Sequence, residues 1–298
     1  MKGIVILGPT AVGKTSLSIK LAKALDTEII SADSAQVYKG MDIGTAKVDE
    51  VEAEGIYHHM IDIVEPIKKY NVGEYQREVN KILENFEKDG KTPILVGGTG
   101  LYINSVTNGL AELPESDPKL REELDKKSAE ELYSELEKID PQAARDIHPN
   151  NKRRVARAVE VFHLTGEPFS IVSKRNIKRN NFEFIKIGLE RDREHLYSRI
   201  NLRVDLMMEG GLLEEVKELY TIYGEDLRRI NIIGYSELID YFKGEISLEE
   251  ATEQIKQNSR RYAKRQFTWF KNDPDVIWFD VEKKSEEEIL DSILNFLT

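Results

Sequence analysis

The chain has 298 residues, no cysteine and a formal net charge of -11. These values exclude disulfides, thiolate zinc sites and a cysteine nucleophile. They also argue against indiscriminate coating of nucleic acid, which rests on attraction between cations and phosphate. The opening MKGIVILGPT is too short and too soon interrupted for a secretory leader, and no apolar run reaches membrane-spanning length, so a soluble, cytoplasmic protein is expected.

The first element is the apolar run Ile4 to Leu7, read as a buried strand. GPTAVGKT follows, from Gly8 to Thr15, and then a helical pattern carries Leu17, Leu21, Ala24 and Leu25 on one side. Strand, glycine loop and helix in this order match the phosphate-binding template G-x-x-x-x-G-K-[ST]. In such a loop the backbone N–H groups turn toward one point, and the helix N-terminus adds partial positive charge. Gly8, Thr10, Ala11, Val12, Gly13, Lys14 and Thr15 are therefore candidate phosphate ligands. Lys14 would supply a point charge, and the Thr15 hydroxyl would ligate a magnesium ion held against the phosphates. The plainer alternative is a glycine turn joining a strand to a helix. The loop does not say which phosphate compound it holds.

A β-prone run, Glu28 to Ala32, ends at Asp33. After a long stretch of weak periodicity, Tyr75, Val79, Ile82, Leu83 and Phe86 mark one face of a helix. Pro93 to Val96 then reads as a further strand, closed by Gly97-Gly98-Thr99-Gly100. Alternating strand and helix predict a parallel sheet covered on both faces. The alternation stops near Leu113. From there to Arg179 only helical segments are found, with Ser128 and Glu131 forming a capping box and prolines dividing the pieces. Phe182 to Leu189 resumes the sheet pattern. A helix beginning near Glu194, a shorter one through Leu212 to Leu219, a long one from Ser247 to about Lys271, a strand Val276 to Asp280 and a closing helix complete the chain. The expected fold is α/β, a P-loop NTPase-like parallel sheet core with helices on both faces (residues 1–113 and 182–298) and an inserted all-helical domain (114–181).

Ligands of open parallel sheets bind at the carboxyl ends of the strands, which should gather the Gly8 loop, Asp33 and the segment Gly97 to Tyr102 around one crevice. Asp33 would act there as a base or a water-mediated magnesium ligand; alternatively it is a helix cap or turn residue. The strand ending ILVGG supplies no carboxylate where many P-loop nucleotidases place a magnesium-binding Asp. That weakens a hydrolase reading and leaves room for a diphosphate that is gripped and expelled. His58-His59 lacks the helical spacing of common metal sites and reads as turn or packing residues. Arg199 and Arg203 share a helix face, as exposed cations or as phosphate clamps. Three basic clusters stand out in an acidic chain: Lys152, Arg153, Arg154 and Arg157; Lys174, Arg175, Lys178 and Arg179; and Arg260, Arg261, Lys264 and Arg265. Each is a solvated helix face or part of a basic track.

The segments GPTAVGKT, ISADSAQVYKGMDIGTAK (Ile30 to Lys47), GGTGLY at Gly97, RRVARAVEVF from Arg153, INLRVDLM from Ile200, IGYSE from Ile233 and RRYAKRQFTWFK from Arg260 occur in one order. With them the chain resembles the bacterial tRNA dimethylallyltransferases, also called tRNA isopentenyltransferases, over nearly its whole length. The resemblance implies transfer of the dimethylallyl group from dimethylallyl diphosphate to the exocyclic amine of the adenosine 3′ of the anticodon, with Mg2+. Lys14, the loop amides and magnesium would stabilise the departing diphosphate. It assigns Asp33 as the base and Thr99 as a residue that positions the reacting groups. Asp33, Ser34, Ala35, Gln36 and Thr99 would contact the target base, and Arg153, Arg154, Val155, Ala156 and Arg157 the anticodon stem-loop. Arg203, with Arg261 or Arg265, would serve as a diphosphate or tRNA ligand. No obligate protein partner and no membrane are implied. Val12 stands where the family commonly has Ser, at a position contributing mainly backbone, so phosphate binding is expected to survive; Ala35 stands where Met is frequent, which leaves the fit of the base open. A small-molecule kinase binding ATP is the neighbouring alternative, and a nucleotide-dependent RNA-binding switch a third.

Overall fold

The computed structural model describes residues 1–177 and 179–297. Lys178, counted above in a basic cluster, lies outside them. The chain divides into two compact units, Met1–Thr107 with Asn180–Thr298, and Asn108–Arg179. The second unit thus begins at Asn108, earlier than the break near Leu113 in the sequence pattern.

Six parallel strands make the sheet of the first unit: β1 (Lys2–Leu7), β2 (Ile29–Ser31), β3 (His58–His59), β4 (Ile94–Gly97), β5 (Glu183–Glu190) and β6 (Val276–Asp280), in the order β3-β2-β4-β1-β5-β6. Successive side chains of a strand leave on opposite faces, and the core divides accordingly. Val5, Leu7, Ile30 and Leu95 pack with Tyr75, Val79, Leu83 and Phe86 of the helix Val72–Asp89. Ile4, Ile6, Ile29 and Ile94 pack with Leu17 and Leu21 of the helix Lys14–Ala24 and with Ile289 and Ile293 of the helix Glu286–Leu297. Burial on both faces explains why β1 reads as an unbroken apolar run rather than an alternation.

The helix Val72–Asp89 is fixed at both ends. Asn71 and Glu74 form a reciprocal capping box, and Gly90 closes the C-terminus with φ 66°. The strand His58–His59 corrects the reading of these residues as a turn. It is two residues long, too short to show a period, and pairs Ile29 with His58. His59 bonds Glu28 at 2.5 Å and packs edge-on against Tyr57 and Phe86, while burial lowers the pKa of His58. Further elements escape the sequence pattern: the helices Glu50–Ala53, Gly100–Thr107 and Tyr235–Phe242 and the 3-10 turn Gly224–Ile230.

The second unit contains five helices among the described residues: Pro118–Lys126, Ala129–Ile139, Pro141–Asp146, Lys152–Thr165 and Phe169–Val172. Ser128 and Glu131 form the expected capping box. Leu124, Leu132, Leu136, Ile147, Val155 and Val159 build its own core. No helix among the described residues is long and apolar enough to cross a membrane.

Leu83 lies 1 % exposed in the core against β2 and β4, so Leu83→Ala is expected to lower the unfolding free energy by about 2–5 kcal/mol. A urea titration showing a loss below about 1 kcal/mol would contradict this packing of the helix.

Candidate active site

The loop after β1 owes its shape to residues in uncommon backbone conformations. Gly8 has φ 147°, and a Cβ there would lie 2.7 Å from the Leu189 carbonyl oxygen. Ala11 (φ 63°) and Gly13 (φ 117°) are also left-handed. Val12 is buried in the core with Leu17 and Ile200, so its side chain turns away from the loop's concave side and the change from Ser is accommodated by packing.

Three cations close on this loop. Lys14 Nζ donates to the Gly8 and Pro9 carbonyls at 3.1 and 2.8 Å. Arg203, half-buried on the helix Arg193–Glu209, donates to Thr10 Oγ1 at 2.8 Å. Arg199, one turn earlier, donates to the Ala11 carbonyl at 2.9 Å. Both arginines are therefore at the loop, Arg199 exposed and Arg203 half-buried. Burial brings the Lys14 pKa down to about 8, aided by the charge of Arg203 and opposed by Asp33. Burial likewise lowers that of Arg203, against the carboxylates of Asp33 and Glu52. The cavity here has a volume of about 520 Å³ and is lined by Lys14, Thr15, Asp33, Glu52, Arg199 and Arg203 among others. Burial and the neighbouring Asp49 raise the pKa of Glu52, and Arg203 opposes them.

Asp33 follows β2 directly. Its Oδ1 accepts the Ala35 backbone N–H at 2.8 Å, forming the turn that its bland reading anticipated. The same side chain lines the loop cavity and a second cavity of about 400 Å³. Thr10, Asp33, Thr45, Arg203 and Tyr262 line both, so the cavities meet there. The second is apolar on one side, with Ile200, Val204, Met207, Leu212, Ile232 and Ile255, and has Ser34, Ala35 and Arg265 at its wall. Thr99, at the start of the helix after β4, accepts the Ser34 N–H at 3.0 Å and lies 3.3 Å from Ser34 Oγ. Its own N–H bonds the Ala32 carbonyl at 3.1 Å. Thr99 thus bonds the residues on either side of Asp33, Ala32 and Ser34, while the Asp33 side chain itself bonds Ala35.

Several functional residues carried no separate signal in the sequence. The pKa of Tyr262, which lines both cavities, is pushed up to about 12 by burial and then by Asp33, and the neighbouring side chains of Thr99 and Gln266 oppose the rise. Glu215 accepts the N–H groups of Asp42, Ile43 and Gly44 at 2.7 to 3.1 Å, together with the Tyr235 hydroxyl at 2.5 Å, and so pins the loop after Met41. Tyr262 and Gln266 stand four apart in RRYAKRQFTWFK, a spacing that places them on one helix face; the arginines drew attention instead. Of these, Arg265 lines the second cavity, 5.7 Å from the Tyr262 ring, and exposed Arg261 approaches Asn258.

Several other residues expected at the tRNA are engaged within the chain. The Gln36 amide is engaged inside the chain: Oε1 accepts Ser31 Oγ at 2.9 Å, and Nε2 donates to the Ala46 carbonyl at 3.1 Å. Val155 and Ala156 are buried at 0 % and 1 % exposure in the core of the helical unit, so their side chains reach no partner outside it. Arg157 donates to the buried Glu160 and to the Pro114 carbonyl, each at 2.7 Å, which gives it a structural task. Arg153 and Arg154 are exposed.

This sheet, loop and cation set define a P-loop protein whose cavity takes a phosphorylated ligand beside a carboxylate. The family model described as IPP transferase matches residues 36–273, and the chain belongs to that family. It is 60 % identical over 293 residues to a tRNA dimethylallyltransferase of Fusobacterium nucleatum, covering 98 % of this chain and 96 % of that one. The crystal structure of a full-length tRNA isopentenylpyrophosphate transferase from Bacillus halodurans is similar with TM-score 0.74 and 44 % identity, covering 99 % and 95 % of the two chains. A eukaryotic dimethylallyltransferase, captured in crystallographic snapshots acting on tRNA, matches with TM-score 0.87 and 31 % identity over 99 % of this chain and 79 % of that one. The kinase and RNA-switch alternatives have no counterpart in these matches.

Only protonated Lys14 attracts an anion. With its pKa at about 8, affinity for inorganic pyrophosphate is expected to be full below that pH and to weaken roughly tenfold between about pH 7 and 9. Lys14→Arg, charged throughout, should reduce this dependence to that of the ligand itself. Calorimetric titrations giving wild type and Lys14→Arg the same profile would exclude Lys14 as the titrating group.

Proposed function

We propose that the protein transfers the dimethylallyl group of dimethylallyl diphosphate to the exocyclic amine of the adenosine 3′-adjacent to the anticodon in tRNA, releasing diphosphate. The observation that carries this reading is the position of Asp33, which lines both the cation-lined cavity and the partly apolar cavity that joins it. A diphosphate on the loop and an adenine in the second cavity would meet at this carboxylate.

The loop amides, Lys14, Arg199 and Arg203 hold the diphosphate. As the bond from C1 to the bridging oxygen breaks, its electron pair stays on the diphosphate, where the cations meet the growing charge. The adenosine amine forms the new N–C1 bond and gives its proton to the Asp33 carboxylate. Thr10 accepts a bond from Arg203, which leaves its hydroxyl proton free for a diphosphate oxygen. Ser34 and Thr99 hold the turn that carries Asp33. Reaching the adenosine requires that it leave the anticodon stack.

The donor set suits magnesium that arrives with the substrate. Among the described residues no group of three or more His, Cys, Asp or Glu could hold a metal ion. Thr15 and Asp33 nevertheless line the phosphate cavity, and Mg2+ commonly takes one or two protein oxygens, completing its shell with phosphate and water. Bound there, it would offset charge on the leaving diphosphate.

Purified protein, unmodified tRNA, magnesium and radiolabelled dimethylallyl diphosphate should yield labelled tRNA; absence of label under conditions where tRNA binds would sink the assignment. In the same assay Asp33→Ala is expected to lower kcat by about 10²- to 10⁴-fold with little change in the donor's KM. Near-normal turnover would remove Asp33 as the base. For the helical unit, Arg153→Ala with Arg154→Ala is expected to weaken tRNA binding and to reduce the slope of log affinity against log salt by about two. An unchanged slope would show that neither arginine meets phosphate.

A further inference from the structure

Gln266 lies on the helix Leu248–Lys271 and is only 5 % exposed. Its Oε1 accepts the Thr10 backbone N–H at 2.9 Å, and its Nε2 donates to the Gly98 carbonyl at 3.0 Å. One partner is a donor and the other an acceptor, so together they fix the orientation of the amide. Gly98 is fitted to this side chain, since a Cβ there would fall 2.0 Å from Nε2.

The two bonds reach opposite sides of the reaction. Thr10 belongs to the phosphate loop, and its hydroxyl is held by Arg203. Gly98 precedes Thr99, which bonds Ala32 and Ser34 on either side of Asp33. The sheet alone fixes the strand ends but not the loops beyond them, and Gln266 is a direct side-chain bridge between two of those loops.

We infer that Gln266 is a positioning residue for the transfer, setting the distance between the loop that holds the leaving diphosphate and the Thr99–Asp33 group that receives the amine. This rests on the function proposed above; Gln266 borders the loop cavity, but both ends of its amide are taken by Thr10 and Gly98, so its role is assigned to the bridge and not to a bond with either substrate. In-line displacement needs leaving oxygen, carbon and amine nitrogen aligned, and a misplacement of about 1 Å costs on the order of 10²-fold in rate.

The test compares wild type, Gln266→Met and Gln266→Glu for label transfer at saturating tRNA, with inorganic pyrophosphate titrated against each. Gln266→Met keeps the volume and removes both bonds. Its kcat is expected to fall by about 10- to 100-fold, with the donor's KM and the pyrophosphate Kd within about threefold of wild type. Gln266→Glu as a carboxylate sets an acceptor against the Gly98 carbonyl, whereas its protonated form restores one donor and one acceptor. Its kcat relative to wild type is therefore expected to rise as the pH falls from about 8 to 5.5, a recovery that mere space-filling would not produce. A Gln266→Met kcat within about twofold of wild type overturns the assignment, as does a Gln266→Glu ratio that stays flat with pH. Should Gln266→Met fail to fold, the Gln266→Glu ratio decides alone. A wild type that transfers no label would refute the proposed function rather than the bridge.

Discussion

Neighbouring strands of a parallel sheet end on the same side, and here the registers align three of those ends closely. Leu7 of β1 pairs with Gly97 of β4, and Ser31 of β2 pairs with Val96. The phosphate loop, Asp33 and Thr99 therefore leave the sheet side by side, before any side chain acts. Support from below is equally specific. Tyr75 donates to the Ser31 carbonyl at 2.9 Å and stacks on Tyr102 at 4.0 Å, so the helix between β3 and β4 and the helix after β4 jointly hold the edge from which Asp33 departs. Gly97 allows this closeness, because a Cβ there would lie 2.2 Å from the Ala32 carbonyl oxygen.

On that frame the electrostatics are incomplete without an anion. Lys14 and Arg203 face the same partly desolvated cavity and disfavour each other's charge, and Asp33 and Glu52 offset this only in part. Lowering Lys14 from 10.5 to about 8 corresponds to roughly 3 kcal/mol against its ammonium form. A bound diphosphate would reverse the sign of that balance. The cations that hold the leaving group and the carboxylate that takes the proton are thus coupled through one field.

Much of this arrangement was legible in the sequence because it rests on backbone. That the strands run parallel and end on one side follows from alternating elements, and the loop's glycines and Lys14 carry their chemistry in the motif itself. The side chains that join one loop to another were harder to read. Gln266 and Glu215 each bond a segment far away in the chain, and no local pattern announces such a bond. Periodicity also failed where elements were too short to repeat, as in His58–His59. Arg157 shows another limit of charge patterns, which do not reveal that the buried Glu160, three residues on, is its partner inside the chain. Val155 and Ala156 are the apolar face of the helix that displays Arg153 and Arg154, so one segment serves both a core and a surface.

The loop motif most often holds a nucleotide, yet its physics specifies only an anion and the direction from which cations approach it. What distinguishes this site is where the carboxylate stands. β4 ends in glycines and supplies none to the loop, and Asp33 instead faces the junction with the second cavity. Lining both cavities, Asp33 can meet whatever enters from the second one as well as the ligand on the loop. In the proposed transfer the phosphate groups are never attacked. Charge accumulates on them as the carbon departs, and cations already short of counter-charge bind the separating diphosphate more strongly than the intact ester. The same grip that would assist hydrolysis in another P-loop protein then serves to release carbon toward nitrogen, with the distance between the two loops left to side chains such as Gln266.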